Sequence, residues 1–173
     1  NYADRLVQEG AFGADASPTV KPVKKVVKRQ PDVMDGLGLN YSKGESILQM
    51  IESLIGTENF RKGVRNYMKT HSWGNTVADD LWRALDGVSD FNLSAMMKAY
   101  LEQPGYPVIH ITDGGKVTQS RFHYAGASVE EQTWAIPLKL TYQVNNEIKS
   151  EIVFIYLIFL SKIWNQITGL TLL

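Results

Sequence analysis

Hydrophobic side chains recur at intervals of three and four residues through the middle of the chain, as one buried helix face requires. From Ser42 onward the pattern predicts four successive helices. Gly56 should end the first, and Thr57 should cap the second. The third should begin at Thr76, with Asp79 three residues on as its capping-box partner, and the fourth at about Asn92. The positions expected to face inward are Ile47, Leu48, Met50, Ile51, Leu54, Ile55, Phe60, Val64, Tyr67, Met68, Leu81, Trp82, Leu85, Val88, Leu93, Met96, Met97, Tyr100 and Leu101.

After Tyr106 the period changes to the alternation of hydrophobic and polar residues that is typical of β-strands. Asp113-Gly114-Gly115-Lys116 and Asn145-Asn146 are expected to form turns between these strands. Helices followed by strands indicate an α+β protein with two domains that meet near Gln103. The predicted strands span residues 107–112, 117–124 and 133–143.

The first forty residues differ from the helical segment that follows them. Residues 1–10 are predicted to be the end of a helix stopped by Gly10. Residues 11–40 contain three prolines and several glycines, which favours an extended or looping stretch. Within it, the basic run at residues 21–29 has two readings: a patch for an acidic partner, or a solvated surface strand with valines facing inward. The second reading is preferred.

The last segment, residues 152–173, carries a single charge, Lys162. Its length suits a membrane span, but a lysine in the middle of the segment is costly in lipid. We therefore expect a buried strand pair, or a tail produced by truncation or a frameshift, rather than a membrane anchor.

Composition narrows the function classes only a little. The 18 basic and 18 acidic residues balance, so nothing points to nucleic acid or an anionic membrane. The absence of cysteine excludes disulfides and thiolate metal sites. The chain opens at Asn1 without an initiator Met or a signal pattern, so we expect it to be part of a longer protein. Cytoplasmic and periplasmic locations both stay open, as does the oligomeric state.

The histidines do not form a recognisable metal site. They are His71, His110 and His123, with no H-E-x-x-H motif and no pair four residues apart. His110 and His123 could face each other across a hairpin, but surface or hydrogen-bonded histidines are the preferred reading. The glycine spacing makes neither a nucleophile elbow nor a dinucleotide or phosphate loop. No residue of this chain is therefore assigned to a metal or a cofactor.

A series of short blocks is more specific than any of these patterns. The blocks are residues 40–52 with Tyr41-Ser42-Lys43-Gly44, residues 55–63, residues 67–71, Gly74-Asn75-Thr76, Asp80-Leu81-Trp82 and residues 103–108. In order and spacing, they resemble the membrane-alanyl-aminopeptidase family of zinc metallopeptidases, the aminopeptidase N-like gluzincins, which also includes leukotriene A4 hydrolase. The resemblance covers roughly residues 15–143.

The resemblance implies a domain organisation. Residues 1–103 would be the helical end of a thermolysin-like catalytic domain, and residues 104–151 the start of an antiparallel β-sandwich domain. Residues 152–173 would be an apolar tail of uncertain nature. In the intact enzyme zinc is held by the two histidines of H-E-x-x-H and a downstream glutamate, which the resemblance places before residue 1.

The resemblance also implies one catalytic residue. Tyr41 matches the tyrosine whose hydroxyl hydrogen-bonds the oxyanion of the tetrahedral intermediate. A phenol stays protonated at neutral pH, so it can donate that bond. Tyr41 is expected just before a helix, with Ser42 as its cap. Lys43 is expected to pair with an acid, and Gly44 to permit close helix packing.

The implied function is that of a fragment of a zinc aminopeptidase that releases amino-terminal residues from peptides. The fragment would supply the oxyanion-stabilising tyrosine and be inactive alone. The main alternative is a non-catalytic scaffold or interaction module that keeps the fold. Epoxide hydrolysis on the same scaffold is less favoured, because the Gly-Asn-Thr and Gln-Pro-Gly-Tyr-Pro blocks match the aminopeptidases better.

Overall fold

The computed structural model of the chain describes residues 2–112, 116–144 and 147–155. Within them, helices precede two small antiparallel sheets, which confirms the predicted α+β class. The described residues form two compact units that divide between Gly105 and Tyr106. The helices are α1 (Tyr2–Asp15), α2 (Gln30–Met34), α3 (Leu37–Ile55), α4 (Thr57–Thr70), α5 (Ala78–Asp86) and α6 (Leu93–Glu102). The strands are β1 (Pro107–Ile111), β2 (Val117–Arg121), β3 (Ile136–Val144) and β4 (Glu147–Ile155).

The core of the first unit follows the hydrophobic period in α3, α5 and α6, but not in α4, where only Gly63 is buried and Met68, predicted to face inward, is exposed. α3 buries a residue at every fourth position from Lys43 to Ile55, and α5 buries Trp82 and Leu85. Burial raises the pKa of the Tyr100 phenol in α6, because the charged form is poorly solvated there. The inward residues predicted for α6 are all buried: Leu93, Met96, Met97, Tyr100 and Leu101.

The start of α6 shows how the sequence fixes a helix end. Asn92, near which this helix was predicted to begin, is the N-cap, and its side chain accepts a hydrogen bond of 3.0 Å from the Ala95 N–H. Asp86, the last residue of α5, accepts from the Leu93 N–H at 2.6 Å and the Ser94 N–H at 3.2 Å. These bonds satisfy donors that have no partner inside α6. They also tie the end of α5 to the start of α6.

The prediction of an extended or looping stretch over residues 11–40 holds for residues 16–29 but is wrong at both ends, which are helical. α1 continues through Gly10 to Asp15, because an interior glycine weakens a helix without ending it. Pro31 lies in the first turn of α2, where the missing N–H is not needed. α3 begins at Leu37 rather than after Ser42, and Gly36 before it takes the left-handed φ of 75°.

The start of α5 also differs from the prediction. The helix begins at Ala78, and the Thr76 hydroxyl lies 2.7 Å from the Tyr67 hydroxyl instead of capping the helix. Asp80, not Asp79, accepts from the N-cap Val77 N–H at 2.9 Å. Only the carboxylate half of the predicted capping box is therefore present, shifted by one residue, because the N-cap Val77 has no side-chain acceptor.

The basic run at residues 21–29 is not a strand, and Val26 and Val27 are exposed. Its cations pair with carboxylates of the same unit instead. Lys21 lies 2.6 Å from Asp35, and Lys24 lies 2.9 Å from Glu102. Much of this charge is thus neutralised within the chain, which weakens the reading as a patch for an acidic partner.

The second unit contains two separate antiparallel pairs, β1 with β2 and β3 with β4. Pro107 lies opposite Arg121 in the first pair, and Ile136 lies opposite Ile155 in the second. The Gln119 side chain bonds both main-chain groups of Trp134, at 2.8 Å and 3.0 Å. Residues 147–151 of β4 were not predicted as a strand, whereas residues 152–155 belong to the segment for which a buried strand pair was one expectation.

Several sequence predictions fall outside the described residues. They are the turn residues 113–115 and 145–146 and the tail from residue 156 onward. Among the residues that the structure describes, no helix is both long enough and apolar enough to cross a membrane.

Candidate functional site

Tyr41 lies in the second turn of α3, with its side chain pointing into solvent. The residue is 73% exposed, and no described residue hydrogen-bonds its hydroxyl. The expected position just before a helix is wrong, because α3 already begins at Leu37. Ser42 is consequently not a cap, and its carbonyl accepts a 2.9 Å hydrogen bond from the Ser46 hydroxyl. The helix backbone therefore presents the phenol to solvent, where its hydroxyl can meet a ligand.

Tyr41 borders an open groove of about 500 Å³ on the surface of the first unit. A cavity of this size lies within the range of about 300–1,000 Å³ found for small-ligand sites. α3 supplies most of the groove, and α4 adds one aromatic ring. The other lining residues are Asn40, Gly44, Glu45, Leu48, Gln49, Glu52 and Phe60.

Gly44 keeps the groove beside Tyr41 open. A Cβ built at this position meets no heavy atom within 4 Å, so the expectation of close helix packing at Gly44 is wrong. The close approach occurs instead at Gly63 of α4. A Cβ there would lie 2.6 Å from Leu85 Cδ2 and 3.3 Å from Leu85 Cα.

Lys43 lies two residues beyond Tyr41 but is buried. Its ammonium is 2.7 Å from Asp15 Oδ2, and the two side chains are 7% and 4% exposed. The same ammonium donates to the Gly105 carbonyl at 2.9 Å. Asp15 Oδ1 accepts from the Gly105 N–H at 2.9 Å. The prediction that Lys43 pairs with an acid is confirmed.

The sequence does not identify Asp15 or Gly105 as partners of Lys43. Asp15 belongs to a different helix, α1, and the hydrogen bonds to Gly105 span 62 and 90 positions. Periodicity concerns only neighbouring turns, so it carries no signal for such contacts. The sequence offers one hint, a glycine at position 105. In the structure Gly105 has the left-handed φ of 84° that favours glycine.

The three histidines lie in different places and do not converge. The His71 ring is 5.4 Å from the Tyr67 ring. His110 Nε2 lies 2.8 Å from the Ser120 hydroxyl, and His123 Nδ1 lies 3.1 Å from the Tyr124 carbonyl. His110 is opposite Thr118 in the sheet register, so it does not face His123 across the hairpin.

The donor groups that the structure describes do not fit a zinc ion. Over residues 2–112, 116–144 and 147–155, no group of three or more His, Asp or Glu side chains could hold a metal. Protein zinc sites need at least three converging ligands of this kind. The described residues therefore provide no set of zinc ligands.

Comparison with known proteins defines the class. The Peptidase family M1 domain matches residues 4–100. The chain therefore belongs to the M1 family of metallopeptidases. The match contains Tyr41, Lys43 and the groove, so the candidate site lies inside the family domain.

Individual relatives agree with this assignment. The chain is 36% identical over 146 residues to tricorn protease-interacting factor F2 of Thermoplasma volcanium, covering 80% of this chain. It is 36% identical over 143 residues to a leucyl aminopeptidase of Saccharolobus solfataricus, again covering 80% of this chain. It is 37% identical over 139 residues to an aminopeptidase N of Lactobacillus delbrueckii subsp. lactis, covering 77% of this chain. The aligned segment is only 16–18% of the length of these relatives.

Proposed function

We propose that this chain is part of a zinc aminopeptidase that hydrolyses amino-terminal residues from peptides, and that Tyr41 stabilises the oxyanion of the reaction. One observation carries the proposal: a chain of the M1 family presents a solvent-exposed tyrosine hydroxyl beside an open groove. The names of two relatives, leucyl aminopeptidase and aminopeptidase N, support the same activity.

The chemistry follows from what a phenol can do. When water attacks a peptide carbonyl, the oxygen becomes an oxyanion and accepts hydrogen bonds more strongly than before. A donor held in place favours this transition state over the bound substrate. Removing one such donor costs about 2.7–4 kcal/mol of transition-state stabilisation.

The intact enzyme would use zinc, because M1 aminopeptidases generally depend on it. When bound, the metal supplies Lewis-acid activation. We place its ligands in a part of the longer protein outside this chain. Residues 1–103 would belong to its thermolysin-like catalytic domain, and residues 104–151 would start a β-sandwich domain. Alone, the chain would then be inactive.

The test is Tyr41→Phe in the natural protein that carries this segment. We expect kcat to fall by about 100-fold to 1,000-fold, the usual cost of one oxyanion donor. KM should change little, because the bond forms mainly in the transition state. Peptide hydrolysis and zinc content are measured for each protein. Tyr124→Phe, at an exposed tyrosine of the second unit, is the matched control.

The rival function is a non-catalytic scaffold that keeps the family fold. It predicts that the natural protein, supplied with zinc, neither binds the metal nor hydrolyses aminoacyl substrates. Zinc binding with hydrolysis that is unaffected by Tyr41→Phe would retain the enzyme but reject the role of Tyr41.

A further inference from the structure

In the first six residues of α3 the apolar side chains, Leu37 and Leu39, are half-buried rather than fully buried. Every residue from 37 to 42 is exposed or only half-buried. The N-cap residue is Gly36, which has no side chain that could cap the helix. Helix ends without caps or packing tend to fray. Tyr41 therefore depends on whatever holds the helix immediately after it.

Lys43 is the first buried residue of α3. Its ammonium lies between the Asp15 carboxylate, at 2.7 Å, and the Gly105 carbonyl, at 2.9 Å. A buried charge is tolerated only when it is paired and hydrogen-bonded, and this geometry is costly to abandon. The arrangement joins the end of α1, the second turn of α3 and the end of the first unit.

We propose that Lys43 is a positioning residue for Tyr41. The ion pair with Asp15 fixes the backbone of α3 two residues beyond the tyrosine, and so fixes where the phenol hydroxyl lies. The inference rests on the proposed function, since it assigns Lys43 a role in the same site. Lys43 itself does not line the groove.

The test is a double-mutant cycle with Tyr41→Phe in the natural protein. Lys43→Met keeps the length of the side chain and removes its charge. We expect kcat to fall by about tenfold to 100-fold with KM nearly constant, since misplacing a group by about 1 Å can cost 100-fold. In the Tyr41→Phe background, Lys43→Met should cause no further fall. Lys62→Met, at an exposed lysine of α4, is the control and should leave kcat unchanged.

Hydrogen exchange gives an independent readout. In Lys43→Met the amides of residues 40–42 should exchange faster, while the amide of Ile51 should not change. If Lys43→Met does not fold because Asp15 is left buried and unpaired, Asp15→Asn is added, which removes both charges.

The outcomes separate this inference from the proposed function. If Lys43→Met lowers kcat equally in the Tyr41→Phe background and in the unmodified protein, Lys43 has a general structural role and the inference is overturned. An unchanged kcat in Lys43→Met would also overturn it. If Tyr41→Phe alone leaves kcat unchanged, the role of Tyr41 fails, and the positioning role fails with it.

Discussion

Two faces of α3 behave in opposite ways. The anchored face, Lys43, Ile47, Ile51 and Ile55, is buried against the rest of the first unit. The groove face, Tyr41, Gly44, Leu48 and Glu52, borders open space. The two faces of α3 therefore have different roles. The anchored face packs in the core and stabilises the fold, and the groove face is open to a ligand. Substitutions of the three isoleucines on the anchored face should change stability first, whereas those at Tyr41 should change the reaction first.

The largest effect on stability is expected at Ile51, which is fully buried. Ile51→Ala should lower the free energy of unfolding by about 2–5 kcal/mol, through lost burial and the cavity left behind. Leu48→Ala should cost less, because Leu48 is only half-buried beside the groove. Urea unfolding of the chain and both variants measures the difference. Equal losses at the two positions would remove the distinction between the faces.

Substitutions at two glycines, Gly63 in a packed position and Gly44 on the groove face, test the difference between packed and open surfaces. Gly63→Ala should lower the free energy of unfolding by about 1–3 kcal/mol, because its Cβ would overlap Leu85 and force repacking. Gly44→Ala should raise it by about 0.5–1 kcal/mol, since alanine favours the helix and meets nothing there. Chemical unfolding of the two variants compares them directly. A loss of stability in Gly44→Ala would mean that the groove face is packed.

The smallest effect is expected at the surface pair of Lys24 and Glu102. The hydrogen bond from Lys24 holds the pKa of the Glu102 carboxyl below its ordinary value. A depressed carboxyl pKa stabilises the fold above the unfolded pKa, about 4.3 for glutamate. This contribution disappears as the pH falls through the folded value.

Glu102→Gln should therefore lower Tm slightly at pH 7, and the difference from the unmodified chain should vanish toward pH 3. The effect is small because the pair is exposed to solvent and salt screens it. Thermal unfolding at several pH values measures it. A difference that grows as the pH falls would contradict the sign worked out for this pair.

The sequence predicts the parts of the fold whose signals are local. The cap at Asn92 and the buried face of α6 depend on neighbouring turns, and both agree with the structure. The end of α3 at Gly56 agrees for the same reason. The start of α3 does not agree, since glycine and proline permit either a loop or a helix end, and the start of α5 does not, because the Thr76 hydroxyl contacts Tyr67 instead of capping the helix. β4 lacks the alternation that would have marked it as a strand.

The candidate site was predictable only in part. The motif resemblance nominates Tyr41 as the oxyanion donor, which stays a prediction, and the residue chemistry suggests an acidic partner for Lys43. Neither names Asp15 or Gly105, because those contacts form only when distant segments pack together. The openness of the groove at Gly44 was also missed, since a glycine can equally mark close packing or empty space.

The most direct test of the role of Tyr41 is the binding of a tetrahedral transition-state analogue, such as a phosphinate peptide, to the natural protein and its Tyr41→Phe variant. If Tyr41 stabilises the oxyanion, the variant should bind the analogue about 100-fold to 1,000-fold more weakly, in step with its loss of kcat/KM. Its affinity for a product amino acid should stay nearly unchanged. Equal affinity of both proteins for the analogue would contradict the account.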